Sequence, residues 1–258
     1  MRSLIAFFAF FLIVFVGSAA AQPAPAEASS AMLLAEVGET IHYVVKKQAT
    51  VYSEPGGNRA YVRLGFREPI YVLSSEGGWS RVRTQDGAQG YVESSALSNV
   101  WIRVSKRRKM LYLYQGMDLI MQVPADFGYN AYADKVQRGS RSNPDHWRTP
   151  EGTFFVVKKN PYSKFYKALV LNYPTAEDAK RGLRHGLISK AQHDAIVRAE
   201  NAFTMPPMST PLGGMIEIHG DGTGASSNWT QGCVAVHNTH IDKLWAWVNV
   251  GTPVIIEK

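Results

Sequence analysis

From about Thr40 to Leu97 apolar and polar positions alternate in short runs. These are Tyr43-Val44-Val45, Ala49-Thr50-Val51-Tyr52, Ala60-Tyr61-Val62-Arg63-Leu64, Ile70-Tyr71-Val72-Leu73, Trp79-Ser80-Arg81-Val82-Arg83 and Gln89-Gly90-Tyr91-Val92. A period of two puts alternate side chains on opposite faces of a strand. Turn formers at Glu54-Pro55-Gly56-Gly57-Asn58, Glu76-Gly77-Gly78 and Asp86-Gly87 separate the runs. Short strands at this spacing predict a small antiparallel barrel. Beyond Asn99 the runs lengthen: Trp101–Val104 and Met110–Tyr114 flank the cluster Lys106-Arg107-Arg108-Lys109, which reads as a hairpin with a basic turn. A strand from Thr153 to Val157 follows a turn at Glu151-Gly152, with Phe154 and Val156 packed in the core of a β-sandwich.

The period changes between Thr175 and Phe203. Thr175-x-x-Asp178 and Ser189-x-x-Gln192 both fit helix capping boxes, and Pro206-Pro207 ends the run, so this stretch predicts a polar helical insert. His185 and His193 lie on it and read as solvated. A last helix is expected from Thr239, with Asp242 completing a third capping box and Ile241, Leu244, Trp245 and Val248 on one face. The fold class is therefore mainly β: a small barrel, then a sandwich with a helical insert and a C-terminal helix.

The N-terminus alters the setting. Met1 to Ala21 joins Arg2, an apolar run from Leu4 to Val16 and Ala19-Ala20-Ala21, the arrangement of a secretory signal peptide cleaved before Gln22. The apolar run falls short of the ~20 residues a membrane span needs. The Ala/Pro/Ser-rich stretch after it, residues 22–39, reads as a linker. The expected product is exported, to the periplasm or cell wall, with no integral membrane segment after cleavage. The 258-residue chain has formal net charge +7, which favours acidic partners in general. Its one dense basic run sits in the hairpin turn without interleaved base-stacking aromatics, and nucleic acid is not an expected partner.

An exported chain with a single cysteine makes no internal disulfide, so the role of that thiol is the central question. Cys233 follows Gly232, and His219-Gly220 lies fourteen positions upstream at the end of the apolar run Met215-Ile216-Glu217-Ile218. A thiol nucleophile and its imidazole base look like this when two strands bring them together. Thiolate is the reactive form, and a free thiol with a pKa of about 8.5 is mostly protonated at neutral pH, so a base must assist. The Gly232 and Cys233 amides are candidate oxyanion donors, and the Gly220 carbonyl is a candidate partner for the other ring nitrogen. A different chemistry stays open: Cys233-x3-His237-x2-His240 with His219 has the ligand types of a zinc site.

The pattern His219-Gly220, a Gly/Ser-rich loop, Thr230-x-Gly232-Cys233-Val234 and Asn238 resembles the signature of the YkuD-type L,D-transpeptidases. The likeness extends over Asn99 to Glu257, including Thr149-Pro150-Glu151-Gly152-Thr153-Phe154 and Val250-Gly251-Thr252-Pro253-Val254. It implies a catalytic domain over residues 99–258 that acts on peptidoglycan stem peptides through a cysteine thioester, with no cofactor and no metal. Cys233 and His219 would be catalytic, Gly232 and Gly220 would support the oxyanion and the base, and Thr230, Trp229 and Asn238 would meet the substrate. Two positions depart from the pattern. Gln231 stands where the family often has His, and Ala235 where it usually has an arginine that serves the substrate. Gly78-Trp79 and Asp86-Gly87-Ala88-Gln89-Gly90-Tyr91-Val92 resemble a bacterial SH3-like domain over residues 40–98, either a wall-targeting module or a spacer. A hydrolase of the same fold and a non-catalytic wall-binding protein are the alternatives to a transpeptidase.

Overall fold

The computed structural model of the chain describes residues 40–258; the expected signal peptide, residues 1–21, and linker, residues 22–39, lie outside the described residues. The first part is a seven-stranded sheet of β1 (Thr40–Val44), β2 (Gln48–Tyr52), β3 (Ala60–Gly65), β4 (Pro69–Glu76), β5 (Trp79–Arg83), β6 (Gln89–Glu93) and β7 (Leu97–Ser98). Its order is β3-β2-β6-β5-β4-β1-β7, and every pairing is antiparallel. Alternation does what it predicts. Val51, Ile70, Val72, Val82 and Val92 turn inward and share one core with Val44 and Leu64.

The second part contains β8 (Val100–Ser105), β9 (Met110–Gln115), β10 (Asp118–Pro124), β11 (Phe127–Gly128), β12 (Gly152–Ser163) and β13 (Tyr166–Leu171). Helices α1 (Ala176–Arg184) and α2 (Lys190–Asn201) follow, then β14 (Glu217–His219), β15 (Asn228–Thr230), β16 (Val234–Ala235), α3 (Asn238–Trp247) and β17 (Pro253–Glu257). Eight strands form one mixed sheet in the order β10-β9-β8-β17-β12-β13-β14-β16, and β11 with β15 forms a separate parallel pair. β12 joins the two halves. Gly152 to Phe155 pairs with β17, and from Val156 onward the strand pairs with β13. A strand that serves two partners in succession turns a sheet over its own core. Phe154, Val156, Leu169, Ile218, Val234 and the α3 face Ile241, Leu244, Val248 fill that core.

Both capping boxes of the insert form, on Thr175 with Asp178 and on Ser189 with Gln192. The third does not. α3 is capped by His237, whose ring accepts from the Thr239 amide, because Asp242 is drawn across to Lys167 (2.6 Å) and Tyr166. The basic hairpin turn is also not simply a solvated one. Lys106 is buried, and its ammonium donates to Ala133 O (2.8 Å), Thr149 O (3.1 Å) and Glu151 Oε1 (2.7 Å), so one lysine ties the turn to the loop before β12.

The two parts touch through a short hairpin and one tyrosine. Arg67 lies over the Phe155 ring at 4.2 Å and near Phe203 at 5.5 Å, while Phe66 meets Phe203 edge-on at 5.7 Å. Tyr43 Oη donates to Val100 O at 2.7 Å. At Gly251, with φ +94°, any Cβ would come within 2.5 Å of the Phe66 ring, so the closest approach depends on glycine.

Candidate active site

β14 and β16 run parallel with Ile218 opposite Val234 and His219 opposite Ala235. That register sets Glu217 beside Cys233. Side chains two apart on a strand share a face, so Glu217 and His219 turn to one side while Ile218 enters the core. The shared side is the wall of a cavity of about 520 Å³, lined by Cys233, His219, Glu217, Lys135, Arg138, Lys164 and the aromatic rings of Trp147, Phe165 and Trp229, among others.

His219 is held on three sides. Its Nδ1–H donates to Gly220 O at 2.7 Å, Phe165 stacks on the ring at 4.3 Å and 18°, and Trp229 stands edge-on at 6.2 Å. The bond at Nδ1 assigns the tautomer and leaves the Nε2 lone pair bare. Burial lowers the imidazole below its ordinary value, with the Gly220 bond acting in the opposite sense, so the ring is neutral near pH 7. Cys233 Sγ–H donates to Met215 O at 3.4 Å, and among the described residues no hydrogen bond joins the sulfur to His219. Desolvation, reinforced by Glu217, pushes the thiol up to about 12. The resting side chain is therefore a thiol turned toward a carbonyl, in the cavity that His219 also lines.

The loop between the strands hangs on Asp126. This enclosed carboxylate accepts from Thr223 N (2.6 Å), Thr223 Oγ1 (2.8 Å), Ser227 N (2.7 Å) and Trp229 Nε1 (2.8 Å). Burial alone would raise its carboxyl, yet the Thr223, Trp229 and Ser227 donors outweigh it and hold the group below the ordinary carboxylate value. Thr230 bridges the next turn, donating to Cys233 O at 2.7 Å and accepting from Gly232 N at 3.2 Å. Gly232 has φ +129°, and a Cβ there would lie 2.6 Å from Arg148 O, so no other residue fits.

Of the residues singled out from sequence, Cys233, His219, Thr230 and Trp229 line the cavity; Gly232, Gly220 and Asn238 do not. Asn238 is instead a latch. Its Oδ1 accepts from Asp221 N at 2.7 Å and its Nδ2 donates to Asp221 Oδ1 at 3.1 Å, while the Gly232 amide is engaged by Thr230. The zinc reading is not assembled, since among the described residues no three of His, Cys, Asp and Glu come together as a metal-binding group. Three residues were missed. Asp126 and Lys135 reach the site through long-range folding that no local pattern announces. Glu217 had a signal: an acid at every-second-residue spacing from His219 inside an apolar strand. Lys135 is buried against the cavity with a bond to His146 O (3.2 Å), and burial pushes its ammonium down to about 8.

A model of the L,D-transpeptidase catalytic domain matches residues 99–256, and one of the bacterial SH3 domain matches residues 45–99. Among solved structures, Bd1075 of Bdellovibrio bacteriovorus is similar at 25% identity over 64% of this chain and 50% of its own, with a TM-score of 0.40. The helical cell shape determining protein Pgp2 from Campylobacter jejuni is similar at 18% identity over 62% of this chain and 47% of its own, TM-score 0.39. An L,D-transpeptidase from Mycobacterium smegmatis is similar at 14% identity over 76% of this chain and 72% of its own, TM-score 0.37. The chain thus spans about half the length of the first two of these structures. No curated protein matches it. With the family model covering more than half of its residues, His219 and Cys233 included, the chain belongs to the family of the YkuD L,D-transpeptidase catalytic domain.

Proposed function

We propose that the protein is an exported peptidoglycan L,D-transpeptidase, with an SH3-like domain over residues 40–98 and a catalytic domain over residues 99–258. One observation carries this reading: Cys233 and a neutral His219 with a bare Nε2 share one enclosed cavity. In the proposed reaction the thiol turns from Met215 O toward the ring, and Nε2 takes its proton as Sγ attacks the carbonyl of the third residue of a stem peptide. Burial and the Glu217 carboxylate disfavour free thiolate in the resting site, so attack needs a base to take the thiol proton. The oxyanion is met by the Cys233 N–H, with the Gly232 N–H already engaged by Thr230, and by the nearby Lys135 ammonium. As the C–N bond breaks, the leaving D-Ala amine takes the proton from His219 and a Cys233 thioester is left. An acceptor amine then attacks the thioester carbonyl, His219 receives the amine's proton, and it returns a proton to sulfur.

The missing arginine at Ala235 has a physical counterpart. Ala235 is fully buried, its main chain pairs with Asp126 in both directions (2.8 and 3.0 Å), and it does not line the cavity. Lys164 does line it, and Arg148, pinned by Asp145, does not. Carboxylate recognition is therefore assigned to Lys164 and Lys135. The test is mass spectrometry of purified stem peptides incubated with the mature protein. Cross-linked product together with released D-Ala supports the reading. Release of D-Ala without cross-links makes the protein a hydrolase, and unchanged peptides overturn the enzymatic reading.

A further inference from the structure

Glu217 is unused by the reaction above. It is 7% exposed and lines the cavity beside Cys233; its main chain pairs with Val170 and bonds to the Cys233 thiol, while among the described residues its carboxylate makes no hydrogen bond and no ion pair. Lys164 and Lys158 act on it only across longer distances, and desolvation raises its carboxyl above the ordinary value. An enclosed acid left without a partner is unfavourable, and nothing in the packing requires it: Ile216 and Ile218 hold the strand in the core without help. Asp126, fully buried, has four donors. The bare carboxylate also opposes the proposed chemistry, because its charge raises the Cys233 thiol further. A group that disfavours both folding and the resting nucleophile, yet faces the reaction cavity, fits a ligand of opposite charge.

We propose that Glu217 is the recognition residue for a primary ammonium that the substrate carries next to the reacting carbonyl, a proposal that rests on the peptidoglycan reading of the same cavity. The Cβ of residue 217 stands beside Cys233 on the neighbouring strand, so the ammonium it holds belongs within a few bonds of the acyl carbon on sulfur. Cationic Lys164 and Lys135 elsewhere on the wall repel that ammonium and steer it to Glu217. Two sources share this chemistry, the side-chain amine of the donor stem peptide and the amine of the acceptor. Arrival of the ammonium also neutralises the charge that raises the thiol, so occupancy of Glu217 favours ionisation of Cys233.

The test uses the full mature chain with Cys233→Ala, which blocks turnover, and calorimetry with pairs of tetrapeptide stems differing only in acetylation of the side-chain amine. The free-amine donor should bind about tenfold to a hundredfold more tightly than its acetylated twin, the range expected of one charge-assisted contact. The added substitution Glu217→Gln, which keeps shape and burial, should erase that ratio. If the donor ratio is near one but the wild type's KM for the acceptor rises with Glu217→Gln, the ammonium is the acceptor's. A probe independent of peptides is n-butylamine, which should shift the Glu217 carboxyl carbon resonance while N-butylacetamide should not. An unshifted resonance, together with binding and acceptor KM indifferent to Glu217→Gln, overturns the proposal. Turnover of stem peptides by the wild type in that case leaves the transpeptidase reading standing, whereas an ammonium response without any turnover refutes the reaction and keeps the site.

Discussion

Asp126 and Glu217 are both enclosed acids beside the same histidine strand, and they are opposites. Among the described residues the Asp126 carboxylate accepts four hydrogen bonds and is held below the ordinary carboxylate value; the Glu217 carboxylate accepts none and is raised above it. Two buried lysines repeat the contrast. Lys106 fills all three donor positions with Ala133 O, Thr149 O and Glu151, while among the described residues the Lys135 ammonium has one hydrogen-bond partner, His146 O, and faces the cavity. A saturated charge builds the scaffold, and an unsaturated one on a cavity wall is, in the reading proposed above, left for a ligand. The same environment holds both kinds, so burial alone does not separate structure from function; the partner count does.

The largest expected effect lies at Cys233, the proposed nucleophile. Cys233→Ala should lower kcat by at least about 10⁴-fold, the loss typical of removing one member of a covalent catalytic unit, with an unchanged melting transition. A residual rate within tenfold of wild type would mean that the thiol is not the nucleophile. Next come the two acids, compared by urea denaturation. Asp126→Asn should lose roughly 2–4 kcal/mol, because the amide turns a donor toward donors and breaks a buried network. Glu217→Gln should be neutral or stabilising by up to about 1 kcal/mol, since it removes an unpaired buried charge. Equal losses would break the comparison.

Stability against pH should part the same way. Asp126, depressed in the folded state, contributes stability that is complete above its unfolded value and disappears as pH falls through its folded value. Glu217, raised in the folded state, imposes a penalty at neutral pH that is relieved as pH falls through its folded value. For activity, kcat/KM should fall on the acid side only below the ordinary histidine range, as His219 protonates, and on the basic side near pH 8, as Lys135 loses its charge. Lys135→Met should abolish the basic limb while Lys106→Met should reduce stability instead. The smallest effect belongs to the contact between the two parts: Arg67→Ala should destabilise by about 1 kcal/mol through its lost cation–π contacts with Phe155 and Phe203, read as a lower urea midpoint.

Local pattern carried far. The alternation in residues 40–97 marks the strands of the first sheet within a few residues, and capping boxes mark α1 and α2, because both signals are written by neighbours in sequence. The Asp242 capping box failed for the complementary reason. Lys167, seventy-five positions away in sequence, competes for the same carboxylate across strand and helix. β14 is also shorter than its apolar run, since Met215 takes φ +55° and turns its carbonyl to Cys233.

The single cysteine, its preceding glycine and the upstream His-Gly pair were enough to name the groups that meet in the cavity, because side-chain chemistry is a property of the residue itself. Which atoms face one another was decided by folding. The parallel register of β14 and β16 seats Glu217 beside Cys233, the loop after β10 brings Asp126 under Trp229, and the distant Lys135 closes the wall. Hydrogen-bond saturation and desolvation depend on everything within a few ångströms in space, and the donors that saturate Asp126 are about a hundred residues away along the chain. An acid's identity is therefore legible in one dimension, while its charge state and its freedom to bind are legible only in three.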